Sequence, residues 1–69
     1  MISVELKVNG VMVGHIYGRN VQQVGADEYL YKYEYYEPEK HATKRGKVVH
    51  KKSDGIRELI RIILEDLER

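Results

Sequence analysis

The segment from Lys40 to Lys52 carries six fixed positive charges in thirteen positions, at Lys40, Lys44, Arg45, Lys47, Lys51 and Lys52, and no acid. Side chains of this type neutralise phosphates, and His41 and His50 fall within the same run. Lys51, Lys52 and Ser53 lead toward a helix start, whose free amide groups also favour anions, while Asp54 opposes that use. The competing reading is a solvated edge hairpin that repels other chains with its lysines, partly neutralised by Glu34, Glu37 and Glu39. A second feature is the alternation of Tyr29, Tyr31, Tyr33 and Tyr35. Turned outward, such a row stacks on unpaired bases; turned inward, it fills a core. Large aromatics at alternating positions are more often packing, so the inward reading is preferred.

Other chemistries find little to build on. His15, His41 and His50 stand at none of the short spacings that hold zinc, and no metal or other cofactor is expected. There is no cysteine, Ser3 reads as a strand residue, Ser53 reads as a cap, and no serine, histidine and acid set is implied by spacing. Asp27, Glu28, Glu34, Glu37 and Glu39 read as exposed charges. The chain is therefore expected to bind and not to catalyse, since 69 residues leave little room for both a core and a preorganised small-molecule pocket.

The elements that must carry these residues can be read from composition and periodicity. Sixty-nine residues suffice for one domain, residues 1–69, because two cores would each fall below the size at which apolar burial offsets chain entropy. A hydrophobic fraction of 42% with 33% charged residues suits a globular fold, and the formal net charge is only +1. No apolar run approaches the ~20 residues of a membrane-spanning helix, so no membrane partner is expected. The opening residues show no basic segment followed by an apolar one, so no secretory leader is expected. Absence of cysteine fits a reducing compartment, and the cytoplasm is the expected location.

Ile2, Val4, Leu6 and Val8 alternate with Ser3, Glu5 and Lys7, the pattern of a half-buried strand. Asn9-Gly10 then predicts a type I′ hairpin turn, because both of its central residues need positive φ. Extending that turn as a regular ladder predicts Val8 opposite Val11, Leu6 opposite Val13, Val4 opposite His15 and Ile2 opposite Tyr17. Met12, Gly14 and Ile16 would then lie on the other face. A bend or bulge is expected at Gly18-Arg19-Asn20. Residues 28–37 form the clearest strand, ended by Pro38, and Lys47 to Lys51 form a shorter fourth strand at the sheet edge. Ile56, Leu59, Ile60, Ile63, Leu64 and Leu67 mark an amphipathic helix capped by Ser53 or Asp54, with Ile62 outside its apolar arc. On its polar side Glu58–Arg61 and Glu65–Arg69 are expected as ion pairs.

The expected fold class is α+β: a four-stranded antiparallel β-meander followed by one C-terminal amphipathic helix packed on one face (β-β-β-β-α). The expected role is contact with a protein or with a second copy, giving a homodimer. That contact would run through the helix-free sheet face and Met12, Ile16, Leu30, Tyr36 and Ile62. The alternative is nucleic acid, bound along its phosphate backbone by Lys40, Lys44, Arg45, Lys47, Lys51 and Lys52.

Overall fold

A computed structural model describes residues 1–69. Its elements are β1 (Ile2–Val8), β2 (Val11–Gln23), β3 (Glu28–Glu37), β4 (Ala42–Lys51), a single 3₁₀ turn (Lys52–Asp54) and α1 (Gly55–Leu67). The strands form one antiparallel sheet in the order β1-β2-β3-β4, and the helix packs on one face of it. The expected meander and helix are both present. No helix is long and apolar enough to cross a membrane.

Asn9 and Gly10 have φ of 51° and 80°, so the first hairpin closes as its Asn-Gly pair requires. Val8 pairs with Val11, but the ladder then slips between Leu6 and Lys7, leaving Val13 as an extra residue on β2. Beyond this bulge Leu6 lies opposite Gly14, Val4 opposite Ile16 and Ile2 opposite Gly18. The regular ladder expected from the turn is therefore corrected: a one-residue slip exchanges the faces of everything after it. Ile16 moves to the helix side, where it is 0% exposed, and His15 and Tyr17 move to the opposite side. A second slip falls between Asn20 and Gln22, so β2 runs through Gly18 and bulges at Val21.

Strand β3 pairs along its whole length with β4. His41, at φ 48°, closes the intervening turn with its amide donating to the Pro38 carbonyl at 3.3 Å. With so tight a turn β4 begins at Ala42, five residues before the expected strand. Tyr31, Tyr33 and Tyr35 face the helix, which supports their reading as core. Tyr33 is 3% exposed and joins Ile16, Leu59 and Ile63 at the centre, with Ile2, Val4, Leu6, Val48, Leu64 and Leu67 around them.

Two glycines make room for these rings. A Cβ at Gly46 would lie 2.4 Å from the Tyr33 Oη, and one at Gly14 would lie 2.7 Å from the Tyr35 Cε1. Gly14 is therefore a seat for a neighbouring ring as well as a weak strand former.

The helix turns its Leu59, Ile63 and Asp66 line toward the sheet, and the Tyr33 hydroxyl donates to the Asp66 carboxylate. This rotation brings Ile62 against the core, correcting its placement outside the apolar arc, and leaves Ile56 53% exposed at the first turn. Of the two expected caps Asp54 does stand at the N-cap position of α1, but it makes no side-chain capping bond, and Ser53 is directed elsewhere. The Ser53 hydroxyl instead donates to Asp27 in the β2–β3 loop, and the Lys52 amide donates to the Asp27 carbonyl at 2.8 Å. His50, buried beneath the helix start, holds the Gly55 carbonyl at 2.8 Å through Nε2 and meets Tyr31 edge-on.

Candidate functional site

Residues directly opposite one another on adjacent strands project from the same side of a sheet. On the side away from α1, strands β2, β3 and β4 set Arg19, Lys32 and Lys47 in one register row. The next row toward the Asn9-Gly10 hairpin holds Ser3, Tyr17, Glu34 and Arg45, and the one after that holds Glu5, His15, Tyr36 and Thr43. With strands ~4.8 Å apart, the row places three cationic side chains on a base ~10 Å wide, and neighbouring rows follow at ~7 Å.

Elsewhere on this face charges of opposite sign are set together. Lys7 meets Glu5 at 3.4 Å, Arg45 donates through Nε to Glu34 at 2.8 Å, and Lys51 stands opposite Glu28. Arg19, Lys32 and Lys47 enter no ion pair. Like charges directly opposite on neighbouring strands destabilise a sheet, so this arrangement costs folding energy that an anion lying across the row would offset.

Beside the row is an open groove of about 530 Å³, lined by Tyr17, Arg19, Lys32, Glu34, Arg45 and Lys47. Tyr17 is 47% exposed and stacked on His15, with ring centroids 4.1 Å apart and planes 17° from parallel. His15 is positioned in turn by the Ser3 hydroxyl, 2.7 Å from its Nε2. The bulge at Val13 creates this layout, because it turns His15, Tyr17 and Arg19 onto the helix-free side.

The basic run does not form one surface. Arg45, Lys47 and Lys51 alternate onto the helix-free side, whereas Lys44 projects beside Leu64 and Leu67 at the helix end. Lys40 sits in the β3–β4 turn, 3.3 Å from Glu37, and Lys52 begins the 3₁₀ turn. Hydrogen bonds from Lys40 and from the Tyr35 hydroxyl hold the Glu37 carboxyl below its ordinary range. Burial and that bond to Glu37 push the Tyr35 hydroxyl up. The alternation of a single strand is what divides the run.

The apolar set is divided too. Met12, Leu30 and Tyr36 lie on the helix-free side, but Ile16 is fully buried and Ile62 packs into the core, so neither is available to a partner there. Leu30 and Tyr36 are separated by the Arg19 row and the Tyr17 row, which interrupts any continuous apolar patch. His15, His41 and His50 occupy different sites, and no three His, Cys, Asp or Glu side chains converge as metal ligands would.

Sequence reasoning missed Arg19, Lys32 and Tyr17. Each is unremarkable in its own segment, and they meet only through pairing between strands. Lys32 opposite Lys47 was accessible in principle: a tight turn at Pro38–His41 pairs Glu37 with Ala42, and counting back from there aligns the two lysines. Arg19 was not accessible, because its register depends on the bulge and on the β2–β3 connection. No protein-family model, curated protein or solved structure matches the chain.

Proposed function

We propose that this protein is a nucleic-acid-binding module that holds a phosphate backbone across the helix-free face of its sheet. The observation that carries the reading is the unpaired row of Arg19, Lys32 and Lys47, held side by side on three strands. Phosphate contacts made by lysine and arginine supply most sequence-independent affinity for nucleic acid, and a face with three adjacent cations outside any ion pair suits that use. The site differs from the basic run as a whole: Arg45, Lys47 and Lys51 belong to this face, and Lys40, Lys44 and Lys52 do not.

Contact of the same face with a protein or with a second copy is the weaker reading, because Leu30 and Val49 at one end are cut off from Met12 and Tyr36 at the other by the cationic row and the Glu34–Arg45 row. No catalysis is proposed.

The test is oligonucleotide binding measured against salt. Three phosphate contacts give a slope of log affinity on log salt of about −2 to −3. The triple variant Arg19→Glu, Lys32→Glu, Lys47→Glu is expected to abolish binding, and Lys40→Glu, Lys44→Glu, Lys52→Glu to retain most of it. Binding that survives the first triple and fails in the second refutes the site.

A further inference from the structure

Building on that reading, we infer that the nucleic acid is single-stranded, with a base stacked on Tyr17 while its phosphates lie on Arg19, Lys32 and Lys47. Failure of this inference leaves backbone binding intact, so the two are tested separately below.

The face itself selects between strand states. Four strands at ~4.8 Å spacing are wider than the ~12 Å major groove of a duplex, which admits a helix or a two-stranded ribbon. This sheet can therefore meet a duplex only from outside, where the bases are stacked away from its side chains. A single strand has no such restriction and offers ring faces to exposed aromatics.

The aromatic group is in place. Tyr17 is on the row beside the cations, half-exposed, with one ring face covered by His15. Because His15 precedes Tyr17 along β2 and the two rings are nearly parallel, the uncovered face of Tyr17 looks along the strand toward Arg19. The groove between them is lined by both residues, and its volume of about 530 Å³ is in the range that small ligands occupy. The His15 stack and the Ser3 contact to His15 restrict the ring before any ligand arrives, which lowers the ordering cost of stacking. Phosphate and base would thus be received one register row apart, ~7 Å, on a single strand of nucleic acid.

The experiment uses the full chain and fluorescence anisotropy with a labelled mixed-sequence dodecanucleotide, as DNA and as RNA, against its blunt duplex at matched salt. The single strand is expected to bind about tenfold tighter or better than the duplex. Tyr17→Ala is expected to weaken single-strand binding by about fivefold or more while leaving duplex binding within about twofold, and Tyr17→Phe to restore it. Thermal melts of both variants check that the fold is retained.

Duplex binding as tight as single-strand binding overturns the inference and leaves the proposed function standing. An equal loss on both probes in Tyr17→Ala does the same. If neither probe binds, both readings fall; if a polyglutamate peptide of equal charge competes as well as the oligonucleotide, both fall in favour of an acidic protein partner.

Discussion

Replacing Gly46 by alanine should destabilise the protein, although the backbone there would ordinarily favour the change. Gly46 is not among the residues at positive φ, so alanine's lower chain entropy alone would stabilise the strand by ~0.5–1 kcal/mol. Against this, its Cβ would lie 2.4 Å from the Tyr33 Oη, 2.6 Å from Cζ and 2.7 Å from Cε2. That is ring and not the end of a flexible chain, and the ring is 3% exposed and tethered through its hydroxyl to Asp66. Either β4 must move outward or Tyr33 must swing away. Overpacking of this kind costs ~1–3 kcal/mol. Loss of a hydrogen bond to a charged group adds ~1.5–3 kcal/mol. The clash outweighs the entropy gain, and even at the low end of these ranges a net loss of ~2 kcal/mol lowers Tm by ~8 °C or more in a domain of this size. The assay is thermal and urea unfolding followed by circular dichroism, for Gly46→Ala, Tyr33→Leu and the double variant. With the ring removed, alanine at position 46 should cost little, giving a coupling energy of more than ~1 kcal/mol. A Gly46→Ala protein as stable as the parent, or additive effects in the double variant, would refute the seat-and-ring account of this core.

Lys32→Gln should raise Tm by a few degrees at low salt, because it relieves repulsion from both Arg19 and Lys47, and should converge with the parent at ~1 M salt, where screening has removed that repulsion. The same variant should bind oligonucleotide more weakly with a shallower salt slope; a lower Tm at low salt would contradict a strained cationic row. At alkaline pH the Tyr33 hydroxyl matters: burial first, and then the bond to Asp66, push its pKa from about 10 to about 12. The stability it contributes is complete below pH ~10 and is lost as pH rises toward ~12, so Tyr33→Phe should show a flatter decline over that window in urea midpoints. Parallel curves for parent and variant would place the alkaline sensitivity elsewhere.

Strand and helix identities were legible because their signals are local. The Asn9-Gly10 turn, the alternation of β1 and β3 and the apolar stripe of α1 each lie within one short segment. What failed were quantities set between segments. The bulge at Val13 leaves no composition signal, yet it buries Ile16 and presents His15, Tyr17 and Arg19. The rotation of α1, which decides the place of Ile62, is set against the sheet by contacts remote in sequence, Leu59 and Ile63 packing with Ile16 and Tyr33 and Asp66 bonding Tyr33 across 33 positions. Ser53 was read as a helix cap, but its hydroxyl goes to Asp27, which comes near only once the meander is built. The candidate site was half legible for the same reason. Arg45, Lys47 and Lys51 stand out in a basic run, whereas the three residues of the cationic row come from three strands and share no sequence neighbourhood.

The most direct measurement of the central claim is an NMR titration of labelled protein with a short single-stranded oligonucleotide, following backbone amides together with arginine and lysine side-chain signals. Perturbations are expected to cluster on Tyr17, Arg19, Lys32, Arg45 and Lys47, to weaken as salt is raised, and to spare Lys40, Lys44 and the outer face of α1. Shifts confined to the Lys40 turn or the helix, or no shift at all at low salt, would contradict binding across the helix-free face.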